Sequence, residues 1–362
     1  MMEKDALKQA RETINRVDAE MAALFVERME AASEIAAYKK AHGLPILDAE
    51  RERQVIAAGS ERVEDDTLRA YYVDFLKNTM AVSRRYQQRL TEGMRVAYSG
   101  TVGAFAYIAA ERLFPDAAKC AFPDFKSAYD AAENGDCDAA VLPLENSYAG
   151  EVGQVTDLLF SGSLFINGTV QLPVTHDLLA VKGATLADIK TVVSHPQALS
   201  QCDAFIKEHR LKQVVYENTA LAAKFVAEQG DKSIAAIASG DSAALYDLSI
   251  LAQGVNRSQM NTTRFAVLSR AEERQISTKA GAHFVLLFTV RNEAGSLARA
   301  LNIIGAHGFN MRTLRSRPMK ELLWQYYFYV EAEGNIHGYE GKCMLEELAV
   351  CCDKVKVAGS FV

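Results

Sequence analysis

The sequence predicts a multidomain protein with three unlike parts: an all-α N-terminal segment, an α/β middle segment and a small α+β module of βαββαβ order at the C-terminus. Three observations predict it. Residues 1–92 are helix-rich, with apolar residues at three-four spacing. From residue 94 to about 270, short apolar runs alternate with helical patterns, the texture of an α/β sheet. After a polar stretch, RAEERQISTKAGA, strand and helix patterns follow in the order of a ferredoxin-like unit. A length of 362 residues suits two or three domains, here 1–92, 94–272 and 282–362.

The N-terminal segment reads as three helices. One runs to about residue 41, where HGLP breaks it; DAERERQVIAAG is the second, and Asp66 to Leu90 the third. Val17, Met21, Leu24, Ala31 and Ile35, extended by Ile14 and Tyr38, form an apolar stripe on the first. Three helices with one overlong member make a poor globule alone, so the stripe calls for a partner helix and a dimer. In the middle segment MRVAYSG, CDAAVLPLE, IKTVVSH and RFAVLSR read as buried strands. FAYIAAERLF, ALSQCDAFIKEH and ALAAKFVAEQ read as helices between them. Ligand sites in such sheets lie beyond the carboxyl ends of the strands. The C-terminal module reads as strand HFVLLFTV, helix SLARALNIIGAHG, strands MRTLRSRP and WQYYFYVEAEG, a helix, and strand VKVAGSF.

Composition removes several function classes. An apolar fraction of 49% supports real cores, and a net charge of −6 argues against nucleic acid or an anionic membrane as partner. No segment approaches the apolar length that spans a bilayer, and MMEKDALKQARE is charged and helical rather than a signal peptide. Six cysteines occur without a CxxC pair or an HExxH, so neither zinc nor a disulfide framework is expected. The expectation is a cytoplasmic protein without metal or cofactor.

Arg28 interrupts the apolar stripe. A guanidinium in a seam is costly unless an anion pairs with it. A local glutamate, Glu27 or Glu30, is one candidate; a ligand is the other. Lys39 lies eleven residues further on, so the two cations project from nearly one face with α-carbons roughly 16 Å apart. Two long cationic side chains reaching toward each other leave room for a small dianion. Asp48, Arg51 and Glu52 share a face of the second helix, and Ser83 and Gln87 share one on the third.

Together, ARETINRVD, ERMEAASEIAAYKK, LPILDAERERQVI and SRRYQQ resemble the all-helical chorismate mutase family over residues 5 to 90. The resemblance implies that Arg28 and Arg51 hold the carboxylates of chorismate. It implies that Lys39 and Gln87 face the ether oxygen, that Glu52 and Asp48 face the ring hydroxyl, and that Ser83 lines the pocket. Arg11 is roughly 25 Å along the helix from Arg28 at 1.5 Å per residue and cannot reach the same small molecule in one chain. In the family an intertwined dimer brings that arginine into the partner's site. The rearrangement to prephenate is unimolecular, so such a site holds one conformer and stabilises charge growing on the ether oxygen. The residue before Asp48, often basic in the family, is Leu47 here.

YSGTVGAF, LPLENSYAG, VVSHPQALSQC and NTTRFAVL resemble prephenate dehydratase. The resemblance implies a two-lobed fold like the type II periplasmic binding proteins, with prephenate in the cleft. It implies Asn146, Ser194, Gln201 and Thr263 as active-site residues, with Glu145 and Arg264 adjacent and Arg264 counted as substrate-binding. Thr263 is the family's candidate donor to the leaving ring hydroxyl. The cap of a helix start is the competing role for Ser194, and His195 is expected to be structural. Ala106 stands where the family usually has serine or threonine.

RNEAGSLARALNIIGAHGFNMRTLRSRP resembles the amino-acid-binding ACT domain fused to these dehydratases. Gly295, Ser296 and Leu297 match the turn that cradles phenylalanine in the family, and Arg315, Ser316, Arg317 and Pro318 match its second motif. The first residue of that motif is typically glutamate, so Arg315 reverses a charge; it is expected to point to solvent. The whole implies conversion of chorismate through prephenate to phenylpyruvate, with phenylalanine as effector and a homodimer or higher homo-oligomer. The rival readings are an arogenate dehydratase, differing only in the substrate side chain, and a non-catalytic ligand-binding protein on the two-lobed scaffold.

Overall fold

A computed structural model describes residues 2–256, 261–319 and 325–362, with side chains from residue 6. The chain divides into two compact units, Met1–Met94 and Arg95–Val362.

The first unit is three helices: α1 (Met2–Ala41), α2 (Ala49–Ser60) and α3 (Asp66–Glu92). Asp48 caps α2 by accepting from the Arg51 N–H at 3.0 Å, and Asp65 caps α3 through the Leu68 N–H at 2.9 Å. Met29, Ala32 and Ala36 of α1 are buried, as are Met80, Ser83 and Gln87 of α3. The apolar stripe lies uncovered in a single chain, the state in which a stripe that calls for a partner helix is expected. Ile14, Val17, Met21, Leu24, Ile35 and Tyr38 are all exposed, and the buried face of α1 is the adjacent one. The reason is length: a 40-residue helix is roughly 60 Å long, and α2 and α3, at 12 and 27 residues, cannot cover it.

The second unit holds two sheets. The larger runs in the order Asn310–Pro318, Tyr326–Glu333, His283–Thr289, Lys354–Phe361, Phe165–Pro173, Thr262–Ser269, Ala139–Asn146, Arg95–Ser99, Ala118–Phe122, with Gly150–Glu151 paired to Ala139–Asn146. The smaller runs Ser249–Ala252, Asp177–Ala180, Ile234–Ala238, Thr191–Ser194, Lys212–Val215. The chain leaves the first lobe after Pro173 and returns at Thr262, so two crossings separate two α/β lobes. The four C-terminal strands, with helices Ser296–Ala306 and Tyr339–Cys351, have the βαββαβ order read from the sequence. They join the larger sheet through Gly359, which pairs with Ile166. A Cβ at Gly359 would collide with the Ile166 backbone, and its φ of 125° also favours glycine.

One face of the C-terminal sheet packs Phe284, Leu286 and Val330 against Ala300 and Leu348 of its own helices. The other places Tyr327, Tyr329 and Phe361 in one core with Leu142, Leu144 and Leu159 of the first lobe. Each such fully buried leucine stabilises by about 1.5–3 kcal/mol.

Two local readings are corrected. ALSQCDAFIKEH is not one helix: Cys202, at φ −103° and ψ 9°, divides it into Pro196–Gln201 and Asp203–Glu208. RAEERQISTKAGA is not a plain linker, for it contains the short helix Arg274–Thr278, buries Ser277, and ties Arg270 to the Cys137 carbonyl at 2.9 Å. Trp324 lies outside the described residues.

Candidate functional sites

The helical unit encloses a cavity of about 320 Å³ lined by Arg28, Lys39, Asp48, Arg51, Glu52, Ser83, Arg84 and Gln87, among others. Seven of these were singled out from sequence, and a single chain brings them together because α1, α2 and α3 each turn one polar face inward. Arg28 donates to the Ser83 hydroxyl rather than to Glu27 or Glu30. Lys39 donates to the Ile46 carbonyl, which holds its ammonium at the mouth of the α1–α2 loop. Asp48 serves as the cap of α2, so its carboxylate is already engaged. Glu52 pairs with Arg84. That arginine escaped the sequence reading, although it shares a helical turn with Ser83 and Gln87. Four cations against two carboxylates leave the cavity net positive, as a small dianion requires. Gln87 Oε1 is buried without a hydrogen-bond partner among the described residues. Arg11 is exposed and outside this cavity.

The cleft of the second unit has a volume of about 420 Å³ and is lined by Asn146, His176, Gln201, Asn261 and Thr263, with Ala106 in its wall. Asn146 and Thr263 face each other in register on antiparallel strands, and Asn146 Nδ2 donates to Thr263 Oγ1 at 2.9 Å. Asn146 Nδ2 also donates to Asn261 Oδ1 at 2.7 Å, and Asn261 Nδ2 donates to Gln201 Oε1 at 3.2 Å. His176 Nε2 lies 3.0 Å from the same Gln201 oxygen. Burial pushes the His176 imidazole below its usual value, so the ring is neutral near pH 7. Asn261 is the first residue of the NTTRF motif, where the resemblance points only to Thr263 and Arg264. His176 gave no signal, because VTHDLL reads only as a strand edge.

Two expected cleft residues are elsewhere. Ser194 is fully buried, and its hydroxyl donates to the Ile237 carbonyl at 2.5 Å. The helix it precedes is capped by His195, whose ring nitrogen accepts from Gln197 N–H at 3.3 Å. Arg264 follows Thr263 on a strand, so it projects from the opposite face. It makes a two-pronged ion pair with Glu331 at 3.0 and 2.5 Å and meets Glu145 at 2.8 Å.

That opposite face meets the C-terminal sheet. Arg315 pairs with Glu145, which corrects the expectation that it points to solvent; its side chain is only 24% exposed. Arg317 binds Glu151 at 2.6 Å and Asp157 at 2.8 and 3.1 Å, and the Tyr327 hydroxyl donates to Asp157 at 2.7 Å. Ser316 and Pro318 alternate with these arginines and are exposed. Gly295, at φ 85°, opens the helix Ser296–Ala306 with Leu297 in its first turn. That helix covers the other face of the sheet, so the turn and the arginine pair do not converge within one chain. Lys354 and Lys356 donate to the carbonyls of Phe160, Leu159 and Gly162, the C-terminal end of the first-lobe helix Gly153–Ser161. The negative end of the helix dipole offsets part of the cost of burying an ammonium there.

Comparison with known proteins matches residues 10–88 to the family Chorismate mutase type II and residues 96–273 to Prephenate dehydratase. The bifunctional chorismate mutase/prephenate dehydratase of Enterobacter agglomerans is 31% identical, covering 97% of this chain and 94% of that one. Arogenate dehydratase 2 of Petunia hybrida is 34% identical over 75% of this chain and 73% of its own length. The crystal structure of prephenate dehydratase from Arthrobacter aurescens in complex with L-Phe is 26% identical with a TM-score of 0.68, covering 74% of this chain and 90% of that one.

Proposed function

The chain belongs to the bifunctional chorismate mutase/prephenate dehydratase family, and from that premise we propose how its residues divide the work. The protein converts chorismate to prephenate and prephenate to phenylpyruvate.

In the mutase cavity, Arg28 and Arg51 hold the two carboxylates of chorismate. Lys39 and Gln87 stabilise the ether oxygen as its bond breaks, with no covalent intermediate. Arg84 neutralises Glu52, which would otherwise repel a dicarboxylate. In the cleft, the bond from the ring to its carboxylate breaks and its electron pair enters the ring. Carbon dioxide leaves, and the carbon–oxygen bond to the ring hydroxyl breaks with the pair on oxygen. That oxygen takes a proton along the hydrogen bond donated by Thr263, whose hydroxyl relays it from a solvent water and so keeps its own proton, and departs as water. Asn146 supports this role, since it occupies Thr263 Oγ1 as a donor and so leaves the threonine proton available. The observation that carries the reading is the presence in one chain of a net-positive helical cavity and the Asn146–Thr263 cleft. Incubating the purified protein with chorismate, prephenate and arogenate in turn tests it. Phenylpyruvate is expected from the first two, and failure to consume prephenate would remove the dehydratase reading. The likeness to a plant arogenate dehydratase favours arogenate as the second substrate to assay.

The C-terminal module is an ACT domain that binds phenylalanine at the Gly295–Leu297 turn and lowers dehydratase activity. The relative solved with L-Phe supports that ligand. Ser316 and Pro318 of the same module are exposed and available to a second copy. Titration calorimetry with phenylalanine tests this, and absence of heat at millimolar ligand would leave the module a structural one. The enzyme works in the cytoplasm as a dimer or larger homo-oligomer; no helix among the described residues is long and apolar enough to cross a membrane.

A further inference from the structure

The cleft's side-chain amides form a chain whose direction can be read from one end. Asn146 Oδ1 accepts from the backbone N–H groups of Tyr148 at 2.9 Å and Ala149 at 2.8 Å. A backbone N–H can only donate, so the Asn146 oxygen is fixed there and its nitrogen must face Asn261 and Thr263. Asn261 therefore presents its oxygen to Asn146 and its nitrogen to Gln201. Gln201 must then present its oxygen to Asn261. The same oxygen meets His176 Nε2, so the neutral ring carries its proton on Nε2. His176 Nδ1, buried and without a hydrogen-bond partner among the described residues, is left as a bare lone pair.

We propose that His176 and Asn261 are positioning residues of the dehydratase: they grip Gln201 by its carbonyl oxygen from two sides and turn its amino group into the cleft as a donor to a substrate carboxylate. Neither touches the reacting atoms. Without either donor the Gln201 amide is free to rotate and offer its oxygen instead, which repels an anion. His176 is the stronger constraint, being 97% buried and further fixed by its own backbone N–H, which donates to Asn256 Oδ1 at 3.0 Å. Prephenate carries two carboxylates and one hydroxyl. A site that takes it needs donors at both ends, and the chain leaves two: the Thr263 hydroxyl and the Gln201 amino group. The inference deepens the dehydratase reading and rests on it.

Two measurements test it. Nitrogen NMR of the intact protein labelled in histidine reads the tautomer of His176 without reference to activity. A proton on Nε2 is expected, and a proton on Nδ1 would overturn the chain's direction. In the second, kcat and KM for prephenate are measured in His176→Leu, His176→Gln, Asn261→Asp, Gln201→Ala and the combinations with Gln201→Ala. His176→Leu and Asn261→Asp should each lower kcat/KM by about 10–100-fold, mainly through KM, as loss of a hydrogen bond to a charged group does. His176→Gln, which restores an N–H near the Nε2 position, should recover most of the loss seen in His176→Leu. In the Gln201→Ala background neither change should matter further, because each acts through Gln201. Additive losses would mean that His176 and Asn261 only stabilise the lobe. Mutase turnover of the same samples reports on the integrity of the preparation. Failure of the unaltered protein to turn over prephenate would instead remove the dehydratase reading, and the NMR result would still judge the tautomer.

Discussion

Arg315 and Glu145 form an ion pair that ties the C-terminal sheet to the strand ending in Asn146. Glu145 also meets Arg264, the neighbour of Thr263, so both strands that supply the cleft's hydrogen-bonded pair are held from behind by one charge cluster. The phenylalanine control proposed above would require some contact to differ between two states. This cluster can carry such a difference, because Glu145 is one residue from Asn146 and Arg264 one residue from Thr263.

Arg315→Glu is therefore not a neutral change. It sets a carboxylate against Glu145 and Glu151 with three-quarters of the side chain shielded from water. The expected loss is about 2 kcal/mol, below the range for fully buried pairs because the rest is solvated. Thermal unfolding should show a lower Tm for the Arg95–Val362 unit. Adding Glu145→Arg should return part of that loss, though Arg264 then meets a like charge. A Tm unchanged by Arg315→Glu would mean that the pair is not maintained in solution.

In the helical unit, Lys39→Ala should reduce mutase turnover by about 100-fold or more, since a preorganised cation at a developing charge is lost. The Ile46 carbonyl loses its partner as well, but the loop there is exposed and accepts water. Dehydration of supplied prephenate should be unchanged. A parallel fall in both activities would assign Lys39 to stability alone.

The helical cavity was legible because an α-helix converts spacing into direction: Arg28 with Lys39, and Ser83 with Gln87, had to share faces. What spacing cannot give is which apolar face meets a neighbour in the same chain: Met29, Ala32 and Ala36 do, and the Ile14–Leu24 stripe does not. In the two-lobed unit, Asn146, Gln201 and Thr263 are legible through the LPLENSYAG, VVSHPQALSQC and NTTRFAVL motifs. Ser194 and Arg264 lay in the same motifs and turned elsewhere, one into the lobe and one through the sheet. Alternation along a strand says that Thr263 and Arg264 part company, not which of them sees the cleft. Arg315 was misread for a related reason. Its partner, Glu145, is 170 residues away in sequence, and no local pattern records such a pairing.

Thr263→Ala should suppress phenylpyruvate formation while prephenate accumulates from chorismate. The hydroxyl is the group that Asn146 orients, and alanine leaves Asn146 Nδ2 with Asn261 and the Thr262 carbonyl, so the loop should hold its shape. Thr263→Ser keeps the donor and should recover much of the rate. Phenylpyruvate formed at the ordinary rate by the alanine variant would exclude the hydroxyl from the reaction.

Lys356 gives a pH prediction. Burial, helped by Lys354, lowers its value from 10.5 to about 8. Between those two values the unfolded chain holds the proton and the folded one releases it. Stability from this residue therefore rises as pH climbs from about 8 toward 10.5. Comparing Tm at pH 8 and pH 10 for the protein and for Lys356→Met isolates the contribution, since other groups cancel in the difference. The unaltered protein should gain on the variant as pH rises. The opposite trend would show that the bonds to Leu159 and Gly162 hold the ammonium charged.

The last prediction concerns the exposed stripe on α1. Ile14, Val17, Met21 and Leu24 lie on the helix between Arg11 and Arg28, and all four are exposed. Apolar surface in one long stripe is stabilised by a second helix of the same kind, and a second copy of the chain supplies one. Such a pairing would carry Arg11 of one chain toward the cavity holding Arg28 of the other, which the roughly 25 Å between them forbids within a chain. Arg11→Ala and Arg28→Ala should each be poor mutases alone. Mixed under conditions of subunit exchange, they should regain activity, because one of the two sites in a mixed dimer has both arginines. About a quarter of the sites in a fully exchanged equal mixture would be intact, counting half of the dimers as mixed with one good site each. Mixed dimers, verified by mass spectrometry, that stay inactive would place Arg11 outside the site and leave the stripe as a plain packing surface.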